Sequence, residues 1–191
     1  INTLAGGGGL LILPLLMLSG MSAALANGTM RVGVLIQSVE AVRQFNKRGT
    51  MPFKPLPAIL VPCLLGTLVG TLAASSLPES ILKPVLLTTL VVVALIMVFK
   101  PNQLSPAADE LPLQPNDSVA GWLGLFFCGA YGGFVQAGVG FVLIAVLVGQ
   151  LRYDMLRGNA LKLAITGSFT VLALGIFVAR DQVAWLPGLL V

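Results

Sequence analysis

Among the stretches of this chain that carry no charged residue, four have lengths that restrict what can surround the folded protein. They are 56–77, 84–99, 118–151 and 163–179. An uncharged apolar segment of about 18 or more residues is a candidate membrane-spanning helix. Because the chain is 57% hydrophobic and only 9% charged, it lacks the charges to cover a soluble globule. The sequence therefore predicts an all-α, polytopic integral membrane protein.

The stretch 118–151 is too long for one straight helix across a membrane. Its 34 residues would extend roughly 50 Å at about 1.5 Å per residue, whereas the hydrocarbon core is about 30 Å thick. Its glycines cluster in the middle, at Gly129, Gly132, Gly133, Gly138 and Gly140. We therefore expect the chain to bend, break or turn back within this cluster.

A second glycine-rich segment, AGGGG at 5–9, precedes a short apolar stretch and a predicted helix over 23–45. Setting Gly9 on Gly140 aligns the two glycine breaks and the short apolar stretches that follow them. With a one-residue insertion, the same alignment pairs Asn27 with Asn159 and Met30 with Lys162. The order of the segments also agrees, so we expect two homologous multi-helix repeats with Gly-broken helices, as secondary transporters commonly have.

The predicted domain organisation follows from this duplication. The first repeat covers 1–100, the second covers 118–191, and the segment 101–117 between them has the prolines and acids typical of an exposed linker. Further helices are predicted over 56–77, 84–100 and 155–179, with a tight connection at 78–83. Since the chain starts on a glycine run without a Met and stops within the apolar segment 182–191, we expect more hydrophobic helices beyond both ends.

The basic loop 40–54 indicates the topology. It carries four cations against one acid, and cytoplasmic loops of membrane proteins are enriched in Lys and Arg. We interpret it as a topological signal rather than a nucleic-acid patch, and expect the linker on the same side. If 118–151 crosses the bilayer once, the repeats are parallel and Arg152 and Arg157 lie outside. If it turns back, these arginines are cytoplasmic and the repeats are inverted.

Glycine clusters in membrane helices have two interpretations. Small residues let helix backbones pack closely. Alternatively, a glycine break exposes the N-terminal N–H groups and the positive dipole end of the half-helix that follows, which together bind anions. The four consecutive glycines at 6–9 favour the break, because each costs about 1 kcal/mol relative to alanine within a helix.

Polar residues inside the predicted helices point to an anion site. Asn27 and Arg31 are spaced i, i+4 and share a helix face, and Ser38 lies on the same stripe. In the second repeat, Asn159 and Lys162 are spaced i, i+3. A cation within a span usually faces a cavity or a partner; the alternative is that both cations extend to the lipid headgroups. The predicted substrate-binding residues are Gly7, Gly8, Gly9, Asn27, Thr29, Arg31, Gln136, Gly138, Gly140, Asn159 and Lys162.

Two further polar residues, Gln37 and Glu40, are candidates to line an exit or to bind a coupling proton, with a surface position as the alternative for Glu40. Other chemistries have little support. The chain has no His, which excludes His-based triads and His-containing metal sites within it. Cys63 and Cys128 lie in apolar runs, as buried small hydrophobic residues do.

The sequence also argues against catalysis. No predicted span holds a pair of carboxylates, and the glycine run at 6–9 lacks the Lys and Ser or Thr of a phosphate-binding loop. We therefore predict a protein that is not an enzyme and needs no metal or cofactor. A proton or sodium gradient is the candidate driving force.

The glycine segments resemble the TauE/SafE family of sulfite and organosulfur-anion exporters, also called the toluenesulfonate uptake permease family. The similarity is carried by NTLAGGGGLLILPLLMLSG at 2–20, ALANGT at 24–29 and RGTM at 48–51, then by GGFVQAGVGFVLIAVLVG at 132–149 and RGNALKL at 157–163. The resemblance implies two four-helix repeats. It also implies transport of sulfur-containing or other small organic anions across a bacterial inner membrane.

The leading hypothesis is a secondary transporter with an anion site between the repeats. Its cargo would be sulfite, a sulfonate such as sulfoacetate, or a small carboxylate. The expected partners are this anion and the lipid bilayer, with no nucleic acid, and a homo-oligomer stays open. The alternatives are a passive anion channel and a membrane scaffold whose glycines only pack helices.

Overall fold

The computed structural model describes residues 8–99, 112–113, 115 and 118–190 of the chain. These residues form helices and turns and contain no strand, so the all-α prediction is confirmed for them. The helices are α1 (Gly8–Leu18), α2 (Ala23–Lys47), α3 (Leu56–Ser76), α4 (Glu79–Phe99), α5 (Val119–Phe134), α6 (Val139–Ile144, continued by the π-helical Ala145–Gln150), α7 (Met155–Ala179) and α8 (Trp185–Leu190).

Two of these helices, α3 and α7, are long and apolar enough to cross a bilayer, with mean hydropathies of 2.0 and 1.9. Other apolar helices are shorter, among them α5 and the continuous helix Val139–Gln150. The ends of a short helix leave backbone N–H and C=O groups that need partners. The groups that bind these terminal N–H and C=O groups determine the chemistry at the centre of the molecule.

The longest helices, α2 and α7, form a central antiparallel pair, and each has 25 residues. Near one end of the pair, a Cβ on Gly28 would overlap the Gln182 carbonyl oxygen, and further along, one on Gly167 would lie 3.3 Å from the Ser38 Cβ. Each helix is capped at its N-terminus by a side chain. Ser22 Oγ accepts from the Leu25 N–H at 3.3 Å, and Asp154 Oδ1 accepts from the Arg157 N–H at 2.8 Å.

The segment 118–151 forms a helical hairpin. Helices α5 and α6 run antiparallel, since the added Cβ of Gly121 would lie 2.6 Å from Leu151 and that of Gly124 would lie 3.2 Å from Val146. Between them the chain leaves helical geometry at 135–138. Tyr131 Oη fastens this tip by donating to the Ala137 carbonyl at 2.6 Å. The two ends of the segment therefore lie side by side.

Helices α3 and α5 pack in parallel along a contact that we call the glycine seam. It is formed by Gly66, Gly70, Gly129 and Gly133, where an added Cβ would overlap a backbone oxygen of the facing helix in every case. Thr67 Oγ1 also donates to the Gly129 carbonyl at 3.2 Å, and Thr71 Oγ1 donates to the Gly133 carbonyl at 3.2 Å. Close packing is therefore the role of these four glycines.

Two apolar clusters flank the central pair. One joins α3, α5, α6 and α7 and includes Cys63 and Cys128, which are free and buried, so their interpretation as small core residues is confirmed. The other joins α1, α2 and α4 with the end of α7, through residues such as Leu13, Leu86 and Phe177. The hairpin tip reaches the second cluster through Val135 and Ala137.

Most helix bounds agree with the sequence predictions, and the 155–179 helix is confirmed without change. Helix α4 differs, because it begins at Glu79 and not at 84, so the predicted connection at 78–83 is wrong. An acid in the first turn is favourable at a helix N-terminus, and both Glu79 oxygens also accept from the Ala23 N–H, at 2.8 and 3.0 Å. Most of the 101–117 linker lies outside the described residues.

Candidate functional site

A cavity of about 60 Å³ lies where the start of α1, the middle of α2, the hairpin tip and α7 meet. We call it the central cavity. Its polar lining comes from Gln37, Ser38, Gln136, Lys162 and Thr166, and its backbone lining includes Gly9 and Gly140. A buried water needs about 10–15 Å³ of such space, so this volume accommodates a few water-sized groups. That is the size of a compact oxyanion.

The N-terminus of α6 opens onto the central cavity. Val139 N–H bonds to the Gln136 carbonyl at 3.3 Å and Phe141 N–H to the Gly138 carbonyl at 3.1 Å. The Gly140 N–H between them has no acceptor within the described part of the chain. Gly138 makes this abrupt start possible, because it takes φ +74°, a conformation that L side chains rarely adopt. The positive end of the helix thus faces the cavity.

Lys162 brings a positive charge to the same place. It belongs to α7, its side chain lines the cavity, and only 4% of the residue is exposed. Among the described residues of the cavity wall it is the only charged one. A helix N-terminus and a buried cation on one small cavity make its field positive, which suits an anion.

Arg31 lies behind the cavity wall and is fully buried. Its Nη1 donates to the Gly132 carbonyl at 3.2 Å and its Nη2 to the Gly133 carbonyl at 2.6 Å. Asn27 Nδ2 donates to the next carbonyl, that of Phe134, at 2.7 Å. These are the last carbonyls of α5, the negative end of that helix, where cations and donors are stabilising. Arg31 and Asn27 share a face, as predicted, and that face meets the hairpin.

Gln136 connects Arg31 to the central cavity. Its Oε1 accepts from Arg31 Nη1 at 2.5 Å, and its Nε2 donates to Thr170 Oγ1 at 2.8 Å. The residue is 3% exposed, and its φ of +66° is unusual for a side chain other than glycine. One carboxamide therefore joins α2, the hairpin tip and α7.

Of the predicted site residues, Gly9, Gln136, Gly140 and Lys162 meet at the central cavity. The structure distributes the others elsewhere. Asn27 and Arg31 lie behind the wall; Gly138 lies at the hairpin tip against Val93; Gly8 begins α1; Gly7 lies outside the described residues.

Two predicted residues serve other contacts. Thr29 Oγ1 accepts from the Ala184 N–H at 2.9 Å and so holds the turn before α8. Asn159 lines a separate groove of about 500 Å³ between α2 and α7, together with Glu40, Gln44 and Arg48. Gln37 borders both the groove and the central cavity.

The interpretation that the two cations extend to lipid headgroups does not fit these positions, because both are buried within the molecule. Thr166 is a cavity residue that the sequence reasoning missed. It lies four positions after Lys162 on α7 and therefore on the same helix face, which is the signal that could have found it.

Comparison with known proteins decides the family. The profile of the sulfite exporter TauE/SafE family matches residues 1–191. The chain belongs to the TauE/SafE family. This TauE/SafE protein is 25% identical over 188 residues to a probable membrane transporter protein of Haemophilus influenzae, covering 98% of this chain and 72% of the relative.

Two further relatives have similar descriptions. The probable membrane transporter protein ORF9 of Sinorhizobium is 26% identical, covering 100% of this chain and 72% of the relative. YfcA of Escherichia coli K12, also a probable membrane transporter protein, is 23% identical, covering 98% and 69%. No solved structure matches. The resemblance drawn from the sequence is confirmed, and the family and relatives support a membrane transporter.

Proposed function

We propose that this TauE/SafE protein is a secondary transporter of small anions across the bacterial inner membrane, with the central cavity as its binding site. The candidate cargoes are sulfite, sulfonates such as sulfoacetate, and small carboxylates. The observation that carries the proposal is the meeting of the Gly140 N–H, the Lys162 side chain and the Gln136 carboxamide in one buried cavity.

The energetics favour an anion over other ligands. A bound oxyanion would interact favourably with the buried ammonium group of Lys162. The Gly140 N–H and the hydroxyls of Ser38 and Thr166 offer donors to the oxygens of such an anion. Because the cavity volume is about 60 Å³, sulfite fits it as it stands, whereas sulfoacetate requires the cavity to widen.

Alternating access by two inverted repeats is part of the proposal. Helix α1, of 11 residues, precedes α2 as the 12 residues of α6 and its π-helical continuation precede α7, and α2 and α7 run antiparallel. The alignment partners Gly9 and Gly140 both line the central cavity, as do Met30 and Lys162. These features support a first repeat over 1–100, a second over 118–191, and a rocking motion between them.

The charges suggest which side the cavity faces. The loop after α2 and the start of α7 line the same surface pocket, through Met51 and Arg157 among others. Six of the described cations lie at this end, namely Arg43, Lys47, Arg48, Lys54, Arg152 and Arg157. By the positive-inside rule this end is cytoplasmic. The groove opens at the same end and meets the cavity at Gln37, so we assign it as the cytoplasmic entrance.

The test is anion flux in proteoliposomes that contain the full-length protein, with sulfite, sulfoacetate and small carboxylates as probes. Lys162→Ala should lower saturable flux by about tenfold or more, because it removes the charge in the cavity. Lys83→Ala is the matched control, since Lys83 is an exposed residue of α4 and its loss should leave flux unchanged. Intact saturable flux in Lys162→Ala would show that the site is elsewhere.

The scaffold alternative has one observation in its favour, which is the close packing of the glycine seam. A scaffold would show no saturable flux and no anion-dependent rise in its unfolding temperature. A channel would show flux that does not saturate and ignores a pH gradient.

A further inference from the structure

The orientation of the Gln136 carboxamide is fixed by its neighbours. A guanidinium can only donate hydrogen bonds, so the contact of 2.5 Å between Arg31 Nη1 and the Gln136 side chain requires the amide oxygen to face Arg31. The amide nitrogen then points the other way, where it donates to Thr170 Oγ1 at 2.8 Å. The Gln136 Nε2 atom carries two hydrogens, so one N–H group remains to donate into the cavity that Gln136 lines.

Arg31 is itself held in place. The carbonyls of Gly132 and Gly133 accept from its two terminal nitrogens, and the Phe177 ring centroid lies 4.9 Å from its Cζ. The Gln136 backbone adopts φ +66°, a strained conformation that a glycine would take without cost. The strain is consistent with a side chain that is required at this position.

We propose that Arg31 is a positioning residue that makes Gln136 a hydrogen-bond donor, and not an acceptor, toward the ligand of the central cavity. An unrestrained carboxamide can rotate and offer its oxygen to a cation or its nitrogen to an anion. By occupying the oxygen, Arg31 leaves only the donor for the cavity, so the carboxamide adds to the preference for oxyanions that Lys162 and the start of α6 create. This inference rests on the proposed anion site and assigns Arg31 a role without contact to the ligand.

The first test replaces Gln136 with Glu and uses methanesulfonate, which stays ionised between about pH 5 and pH 8. The carboxylate keeps an acceptor for Arg31 but removes both N–H donors. We expect affinity to fall about tenfold or more at neutral pH, because the anion loses a donor and meets a negative charge. The measurement is the methanesulfonate-dependent rise in unfolding temperature of the purified protein in detergent.

The matched control is Gln136→Leu, which also removes the donor but adds no negative charge, and it should bind weakly too. Equal affinity of the wild type and either variant at neutral pH would overturn the inference. If the wild type itself binds no anion, the proposed function fails instead, so the two failures are distinguishable.

The second test is a double-mutant cycle on methanesulfonate affinity. If Arg31 acts through Gln136, then Arg31→Gln should weaken binding about tenfold in the wild-type background and less than twofold in the Gln136→Leu background. A merely structural role for Arg31 would lower affinity equally in both backgrounds, and that result would contradict the inference.

If the Arg31 or Gln136 variants do not fold, two less disruptive substitutions test the same inference. Thr170→Val removes the acceptor that restrains the Gln136 nitrogen, whereas Thr67→Val removes a similar hydroxyl in the glycine seam. Only Thr170→Val should change methanesulfonate affinity. Equal affinities of the two variants would count against the assigned role of Gln136.

Discussion

The glycine seam and the hairpin tip use the same residue for opposite purposes. In the seam, Gly66, Gly70, Gly129 and Gly133 bring two helix backbones into contact and leave no room for a side chain. At the tip, Gly138 takes a positive φ and lets α6 begin abruptly, which exposes a helix N-terminus to the central cavity. One region is close-packed, and the other borders a cavity with a polar lining. What a glycine does here depends on what faces it.

The largest effect is expected from adding a methyl group to the seam. Gly129→Ala places a Cβ on the Cys63 carbonyl, and two backbones cannot separate without disturbing the whole helix pair. We expect a loss of about 3 kcal/mol or more in the free energy of unfolding, seen as little folded protein in detergent. Gly175→Ala is the control, because nothing lies within 4 Å of its added Cβ and alanine is the better helix former. Similar unfolding temperatures for both variants would mean that the seam is not close-packed.

A smaller effect is expected at the hairpin tip. Gly138→Ala introduces a side chain at φ +74° and 2.6 Å from Val93 Cγ1. The conformation costs about 1–2 kcal/mol, and the contact adds to it unless Val93 changes rotamer. Gly20→Ala is matched, because Gly20 also has a positive φ, of +96°, but meets nothing within 4 Å. Equal unfolding temperatures for the two variants would show that the contact with Val93 does not destabilise the protein.

The hydroxyls of the seam should matter less than its shape. Thr67→Val keeps the volume but removes the donor to the Cys63 and Gly129 carbonyls, at 2.7 and 3.2 Å. Interhelical hydrogen bonds in membrane proteins contribute about 0.6 kcal/mol on average, so we expect a loss of about 1 kcal/mol or less in unfolding free energy. A loss as large as that of Gly129→Ala would show that polar contacts, and not packing, hold the seam together.

The smallest structural disturbance comes from a probe of the entrance. Gln44→Cys puts a thiol in the groove, and we expect a membrane-impermeant thiol reagent to label it from the cytoplasmic side only. The natural Cys63 and Cys128 are buried and should stay unlabelled in the folded protein, so the wild type measures the background. Labelling from the opposite side would reverse the assigned orientation.

The sequence predicts the helices better than their partners. The bounds of α7 follow from its composition, which is local. The interruption within 118–151 follows from length alone, but the glycine cluster did not show which members pack and which start a helix. That difference depends on whether α3 lies opposite, as it does for Gly129 and Gly133.

The candidate site shows the same limit. Spacing predicts that Asn27 and Arg31 share a face, but not that this face meets the end of α5, 101 to 107 positions later in the chain. Asn159 and Lys162 also lie near one another on α7, yet one lines the groove and the other the central cavity. Helical periodicity gives the direction of a side chain, whereas tertiary packing decides what it meets.

The capping of α5 by Arg31 has a consequence for biosynthesis. The carbonyls that accept from Arg31 belong to residues made about a hundred positions later. At a synthesis rate of roughly 5–20 residues per second, several seconds or more pass between the synthesis of α2 and that of the carbonyl groups that accept from Arg31. During that time its cation carries an insertion cost of about 2.5–3.5 kcal/mol. The N-terminal half is therefore expected to be held in the bilayer weakly, or by a chaperone or insertase, until the hairpin arrives and completes it.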